Sequence, residues 1–188
     1  IAAPKSQDAM TENHRIHQYL VEGYPLTYID TDGVEQNPRL RLLGSDPSQN
    51  DWLAVNQLTL RQGELHRRLD IVLFVNGMPL SIIELKRAGS ASTSVGPAHA
   101  QLQTYLREFP MVFRFCVFTL ASDGLDAKYG TPFTPLNHFA PWNVDDDGIP
   151  LAQPRIEDGA SVEPIDDALN GLYNQERFLQ LVRNFTAF

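Results

Sequence analysis

The sequence predicts an α/β domain whose mixed sheet contains an antiparallel hairpin and is flanked by helices. Two apolar, β-branched runs flank Asn76-Gly77, a dipeptide that tolerates the positive φ angles of a tight reversal. A helical pattern follows over 97–109. The most apolar run of the chain comes next, over 111–121, and it indicates a central strand beside the hairpin.

Further elements precede the hairpin. The pattern over 11–21 predicts a short helix, after which Gly23 is a natural stop. Apolar, β-prone residues indicate strands over 24–29 and 52–60. Because the second of these strands leads through a turn into the hairpin, we expect three consecutive antiparallel strands.

The length of 188 residues is sufficient for one domain with a substantial core. We expect the core over 1–135, acidic and proline-rich loops packed on it over 136–164, and one or two helices over 165–188. Residues 88–94 are small and polar and predict a flexible loop directly after the hairpin.

Three charged residues interrupt the apolar hairpin: Asp70, Glu84 and Lys86. Side chains alternate along a strand, so Glu84 and Lys86 share a face. Asp70 joins them if the reversal leaves an odd number of unpaired residues, such as 76–78, and we predict that register. Two converging carboxylates suit Mg²⁺, and a lysine beside them can hold or activate water. The alternative is an ion pair between Asp70 and Lys86 at a sheet edge, with a solvated Glu84.

Charge is unevenly distributed along the chain. The net charge of −8 argues against strong nonspecific binding to DNA, which needs clustered lysine and arginine. Acidic residues concentrate in the last quarter, whereas the hairpin neighbourhood contains Arg61, His66, Arg67, Arg68, Lys86 and Arg87. Such a basic rim is compatible with acting on DNA if another domain of a larger protein holds the duplex.

The chain shows no signal-peptide pattern and no apolar run of membrane-spanning length. Its single cysteine, Cys116, lies in an apolar run and is expected to be a buried structural thiol. These features predict a protein of the reducing cytoplasm with no membrane partner.

The segment from Asp70 to Lys86 resembles the PD-(D/E)xK nuclease signature. The sequence of the wider segment is similar to that of the nuclease domain of the R subunit of type I restriction enzymes. Further motifs of that family match QLQTY at 101–105, SDG at 122–124 and FAPW at 139–142. The resemblance covers about 19–188 and implies a PD-(D/E)xK, restriction-endonuclease-like core.

The resemblance implies a metal-dependent endonuclease. Asp70, Glu84 and the Leu85 backbone carbonyl would ligate Mg²⁺, for which Mn²⁺ could substitute. Lys86 would position or deprotonate the attacking water and offset negative charge in the transition state.

DNA contacts are expected beside this site. The family's Gln-x-x-x-Tyr pair matches Gln101 and Tyr105, one helical turn apart, and Arg68 and Arg87 belong to the basic rim. The alternative is that Tyr105 belongs to the core and Gln101 to the surface.

The family also implies partners that this chain does not contain. Double-stranded DNA would be the substrate, sequence recognition and methylation would belong to separate subunits, and ATP would act only through a motor domain. No Gly-x-x-x-x-Gly-Lys-Ser/Thr loop occurs here. Two other interpretations stay open: a stand-alone repair or junction nuclease of the same fold, and a non-catalytic docking scaffold.

One departure from related nucleases concerns an additional acid on an N-terminal helix. Before Thr11 the chain offers only Asp8, and neither Glu12 nor Glu22 lies in a matching motif. We therefore leave this ligand unassigned and expect that the core lacks its first helix.

Overall fold

A computed structural model of the chain describes residues 3–87, 94–151, 155–184 and 186. The helices are α1 (Ala9–Glu22), α2 (Gly96–Glu108), α3 (Pro110–Phe113), α4 (Pro164–Leu172) and α5 (Gln175–Asn184). The strands are β1 (Tyr24–Pro25), β2 (Tyr28–Ile29), β3 (Glu35–Gln36), β4 (Arg39–Leu40), β5 (Trp52–Gln62), β6 (Leu65–Val75), β7 (Met78–Leu85), β8 (Phe118–Ser122), β9 (Ala127–Gly130), β10 (Arg155–Glu157) and β11 (Ala160–Val162). The predicted loop over 88–94 falls, except for Ser94, outside the described residues.

A five-stranded mixed sheet in the order β5-β6-β7-β8-β9 forms the centre of the fold. β7 and β8 are parallel, and the other neighbouring pairs are antiparallel. Because parallel neighbours need a crossover connection, α2 and α3 lie between them in the chain. The predicted α/β class, the three antiparallel strands and the strand beside the hairpin are confirmed.

Helices cover both faces of this sheet. On the first face, which we call the α2 side, Val72 and Ile82 pack with Leu102 and Tyr105 of α2. On the second face, the α5 side, the buried cluster contains Ile16, Ile83, Leu120, Leu172 and Phe178. Since α1, α4 and α5 contribute to this second cluster, the predicted C-terminal helices belong to the same core as the sheet.

The strand predicted from residue 111 is wrong in its first part. Pro110 begins α3, where its fixed φ suits a helix and its missing N–H is not needed, and β8 starts only at Phe118. The Asn13 side chain of α1 donates to the carbonyls of Phe113 and Cys116 at 2.8 and 2.7 Å. These two bonds satisfy carbonyl groups in the buried connection between α3 and β8.

Two aromatic residues attach the segment after β9 to the body of the domain. Phe139 is buried on the α2 side, with its ring edge-to-face on His99 at 4.7 Å. Trp142 packs against the α5-side cluster, and a Cβ added at Gly171 of α4 would lie 2.1 Å from the indole nitrogen. Only glycine therefore permits this close approach of α4 to Trp142.

Two smaller structural predictions agree with the structure. The strand expected over 24–29 is present as two short strands, β1 and β2, which pair with β4 and β3. Cys116 is fully buried, as expected of a structural thiol. Within the described residues no helix combines the length and apolar character needed to cross a bilayer.

Asn76 is the residue on which the hairpin turn depends. It adopts a φ of 51°, accepts the Asp51 N–H at 2.8 Å, and donates to the Leu42 carbonyl at 2.8 Å. We expect Asn76→Ala to lower the free energy of unfolding by about 2 kcal/mol, because it removes these bonds and places alanine in left-handed backbone. Urea denaturation would measure the loss, and the exposed Asn56→Ala would serve as control; equal effects of the two variants would contradict this role.

Candidate active site

Asp70 of β6 lies opposite Glu84 of β7, as predicted, but the reason for this register differs from the predicted one. The reversal contains only Asn76 and Gly77, since Val75 pairs with Met78, so the predicted three-residue turn is wrong. The pairing shifts between Leu73 and Phe74, which leaves Leu80 as an extra residue on β7. This β-bulge supplies the odd residue, and the register then runs to Ile71 opposite Ile83, one step before the two acids.

The β6–β7 ladder ends at this point, and side chains take over its hydrogen bonds. The Leu85 N–H donates to Asp70 Oδ2 at 2.9 Å, where a main-chain carbonyl would otherwise accept. The Tyr105 hydroxyl of α2 donates to the Arg68 carbonyl at 3.0 Å. Main-chain groups that the ending ladder would leave unpaired are thus satisfied, and the two strands separate beside the acids.

Glu84 is a buried carboxylate that is only half satisfied. Its residue is 2% exposed, and Oε1 accepts a hydrogen bond from Lys86 Nζ at 2.5 Å. Oε2 is buried and has no hydrogen-bond partner among the described residues. Burial raises the pKa of Glu84, the charge of Asp70 raises it further, and Lys86 opposes both effects. An unsatisfied carboxylate oxygen beside a second acid is a natural ligand for a cation.

The ion pair proposed as the alternative is not what the structure contains. Lys86 pairs with Glu84 and not with Asp70, and Glu84 is buried instead of solvated. The Lys86 N–H donates to the Ser122 carbonyl at 2.8 Å, which fixes the end of β7 to β8. In an extended strand the N–H and C=O of one residue point to the same side, so the Leu85 carbonyl points toward Asp70 as its N–H does.

The structure places the Gln-x-x-x-Tyr pair on α2, facing the acids. Tyr105 is 4% exposed, and its burial and the nearby charges of Glu84 and Asp70 raise its pKa to about 12. Its hydroxyl donates to the Arg68 carbonyl and also interacts with the Glu84 carboxylate, so Tyr105 links α2 both to β6 and to the buried acid. Gln101 is half-buried and interacts with Tyr105. Contact of either residue with DNA stays a prediction.

The two arginines predicted to bind DNA differ in position. Arg87 is exposed and follows Lys86 directly. Arg68 is exposed and pairs with Thr59 on the face of the β5–β6 ribbon opposite to Leu69, which packs on α2. Its side chain therefore lies on the other surface of the ribbon from the helix that faces the acids.

The N-terminal acids lie elsewhere. Glu12 is buried in α1, where it pairs with Arg15 and accepts the N–H groups of Lys5 and Ser6. Glu22 is exposed and pairs with Arg39 at 3.1 Å. Neither acid is bonded to the candidate site, and the described residues contain no cluster of three or more His, Cys, Asp or Glu suited to a metal.

Gln57 of β5 lies beside the site and was not predicted. It lies directly across from Asp70, between the pairs Asn56–Ile71 and Leu58–Leu69, and has a φ of 56°. A positive φ at a non-glycine residue within a strand leaves no trace in composition or hydrophobic pattern.

Comparison with known families places the chain among known proteins. Residues 2–138 match the family model described as the N terminus of the type I restriction enzyme R protein. The chain belongs to this family. Its candidate active site lies within the region that the family model matches.

Two relatives extend the match beyond residue 138. The HindI endonuclease subunit of a type I restriction enzyme from Haemophilus influenzae is 30% identical over 183 residues, covering 96% of this chain. The MjaIXP subunit of Methanocaldococcus jannaschii, named a putative type I restriction endonuclease subunit, is 24% identical over 184 residues, covering 90%. This chain spans 17% of the length of each of these two relatives.

Proposed function

We propose that this chain is the nuclease domain of a type I restriction R subunit and that it hydrolyses phosphodiester bonds of double-stranded DNA with bound Mg²⁺. The observation that carries the proposal is the buried, unpartnered Oε2 of Glu84, opposite Asp70 and next to Lys86. A scaffold would gain nothing from leaving a carboxylate oxygen buried without a partner, since this arrangement costs stability.

Three oxygen donors would hold the ion: the carboxylates of Asp70 and Glu84 and the carbonyl of Leu85. All are hard ligands of the kind that Mg²⁺ prefers, and Mn²⁺ would substitute. Because the described residues offer no third acid here, water and phosphate oxygens would complete the coordination. The chemistry that the ion supplies when bound is polarisation of the scissile phosphate and stabilisation of charge on the leaving oxygen.

Lys86 would act on the attacking water. Its ammonium is held by Glu84 at 2.5 Å, while about a third of its side chain remains exposed. From this position it can orient a water molecule and offset the negative charge that grows on the phosphate as the new oxygen–phosphorus bond forms. Glu84 thus orients Lys86 as well as offering its other oxygen to the metal.

The DNA backbone would lie across the exposed edge of this site. Gln101 would donate its amide to phosphate oxygens, and Arg87 would supply positive charge. Arg68 would contact a more distant part of the duplex from the other surface of the ribbon. Tyr105 would hold β6 in place beside the bound DNA. Its hydroxyl would also contact DNA if the duplex displaces its hydrogen bond to the Arg68 carbonyl. Phosphate contacts carry no sequence information, so cleavage would show no base preference of its own.

The remaining functions of the enzyme would reside outside this chain. We propose that specificity and methylation subunits select the DNA, that a motor domain elsewhere in the R subunit uses ATP, and that the complex works in the cytoplasm. Both relatives are named as endonuclease subunits of type I restriction enzymes, which supports a place for this chain in a larger complex.

Anomalous diffraction from crystals soaked in Mn²⁺ would test the metal site directly. We expect one peak between Asp70 and Glu84, and its loss in Asp70→Ala. The matched control is Glu64→Ala, which removes an exposed acid from the turn of the same ribbon and should leave the peak unchanged. No peak at saturating Mn²⁺ would favour the scaffold interpretation.

The same variant would test catalysis in the full-length subunit assembled with its partners. Loss of one metal ligand should slow DNA cleavage by about 10³-fold. ATP hydrolysis measured in parallel would show that the rest of the enzyme remains folded. Native cleavage rates in Asp70→Ala would refute the assigned role of Asp70.

A further inference from the structure

The β5–β6 ribbon is interrupted opposite the candidate active site. Asn56 pairs with Ile71, and Leu58 pairs with Leu69, but Gln57 and Asp70 between them form no ladder pair. The register is the same on both sides of the gap, so neither strand has gained a residue relative to the other. The interruption is therefore a local change of backbone conformation and not a slip of register.

The interruption inverts the pleat of β6. On its C-terminal side, the even-numbered Val72 and Phe74 pack on the α2 side, while Ile71 packs on the α5 side. On its N-terminal side, the odd-numbered Leu69 is buried on the α2 side. Arg67 follows the same pattern, since it pairs at 2.8 Å with Glu108 of α2. In a regular strand these two sets would face opposite ways.

β5 changes face at the same position. Leu58 and Leu60 both pack against the α2-side cluster, in step with their partners Leu69 and Arg67. Gln57, the residue at the change, has a φ of 56°, whereas the two other non-glycine residues with positive φ in the described chain lie in turns. Left-handed backbone at one residue reverses the direction of the peptide that follows, which accounts for the inversion.

The consequence falls on Asp70. Asp70 and its neighbour Leu69 both lie on the α2 side, which consecutive residues of a regular strand cannot do. In this conformation Asp70 Oδ2 accepts the Leu85 N–H at 2.9 Å, and its charge acts on Glu84 and Tyr105. If the strand alternated regularly through this point, either Leu69 or Asp70 would lie on the α5 side instead of the α2 side.

We propose that Gln57 is a positioning residue, whose left-handed backbone conformation in β5 inverts the pleat of the ribbon and so aims the Asp70 carboxylate at Leu85 and Glu84. The part of this inference that concerns metal and DNA rests on the proposed nuclease function. The placement of Asp70 does not, because it rests on the bond from the Leu85 N–H to Asp70 Oδ2.

Substitutions at Gln57 separate its backbone conformation from its side chain. Glycine adopts positive φ freely, so Gln57→Gly should keep the interruption, whereas the β-branched valine of Gln57→Val strongly disfavours it. Thr59→Val is the matched control, because Thr59 is exposed, lies two residues along β5 and pairs regularly with Arg68.

Amide hydrogen exchange of metal-free protein would report the Asp70–Leu85 bond. In Gln57→Val we expect the Leu85 amide to exchange about tenfold faster than in the native protein, with no change in Gln57→Gly or Thr59→Val. The Lys86 amide, which donates to Ser122, is the internal reference and should not change. Native protection of Leu85 in Gln57→Val would overturn the proposal.

Cleavage by the full-length enzyme supplies the second measurement. A misplaced catalytic group should cost Gln57→Val about 10²-fold in rate, while Gln57→Gly should retain native activity. Loss of cleavage in Gln57→Gly with native Leu85 protection would assign the role to the amide side chain and overturn positioning by the backbone. If the native domain binds no Mn²⁺, the nuclease proposal fails, but the Leu85 comparison still decides the role of Gln57.

Discussion

Glu84→Gln should make the domain more stable at neutral pH while slowing DNA cleavage by the full-length enzyme about 10³-fold. The gain in stability comes from removing a buried charge whose Oε2 lacks a partner. We expect about 1 kcal/mol, a small part of the cost of burying an ionised carboxylate, because the glutamine amide is neutral but occupies the same buried position. The loss of activity comes from replacing the proposed metal ligand and the acceptor of the bond from Lys86.

The pH dependence of this gain follows from linkage. The pKa of Glu84 is raised in the folded protein, so the folded state holds the proton more tightly than the unfolded chain does. The free energy of unfolding therefore falls as the pH rises from the ordinary glutamate pKa through the raised one. Glutamine cannot ionise, so the advantage of Glu84→Gln should be small at acid pH and largest above the raised pKa.

Urea denaturation of both proteins across this pH range would measure the effect. Glu64→Gln, at an exposed position of the same ribbon, controls for the loss of one negative charge. A variant that is less stable than the native protein at all pH values would show that the bond from Lys86 outweighs the cost of burying Glu84.

The hairpin and its acids could be predicted because their signals are local. Asn76-Gly77 supplies the two positive φ angles of the turn, 51° and 75°, and the alternation on either side defines the strands. The bulge that brings Asp70 opposite Glu84 could not be predicted from the same stretch. Leu80 is fully buried and its carbonyl accepts the Val117 N–H at 2.7 Å, so the bulge depends on a strand far along the chain.

Helix α3 shows a different limit. The run after Pro110 is apolar throughout, which the sequence analysis took as one long strand. Periodicity cannot distinguish a buried strand from a short buried helix, and the proline that marks the start of a helix was the informative signal. What decides the outcome is the capping of the Phe113 and Cys116 carbonyls by Asn13, a contact across about a hundred positions of sequence.

The surroundings of the site depend even more on tertiary structure. The Gln-x-x-x-Tyr spacing correctly places Gln101 and Tyr105 on one helix, but not the bond from Tyr105 to the Arg68 carbonyl. That bond lies where the pairing of β6 with β7 has ended, beside the interruption at Gln57 and Asp70. Each of these features is a conformational response to packing, and none has a residue signature of its own.

Lys86→Met should slow cleavage about 10³-fold and should also change the titration of Glu84. Lys86 is the main group that lowers the pKa of Glu84 against burial and Asp70, so its loss should raise that pKa further. Metal binding requires the ionised carboxylate, so Mn²⁺ affinity of the variant should fall more steeply than that of the native protein as the pH is lowered. Isothermal titration calorimetry with Mn²⁺ at several pH values would measure this difference in the pH dependence of affinity.

A double-mutant cycle would show whether Lys86 acts through Glu84. In the native background Lys86→Met should cost about 1 kcal/mol of stability at pH 8, a modest value because a third of the Lys86 side chain is exposed to screening solvent. In the Glu84→Gln background this cost should nearly vanish, since no buried charge remains to be compensated. Equal costs in both backgrounds would mean that Lys86 stabilises the fold by packing alone, and its orientation by Glu84 would then have no energetic basis.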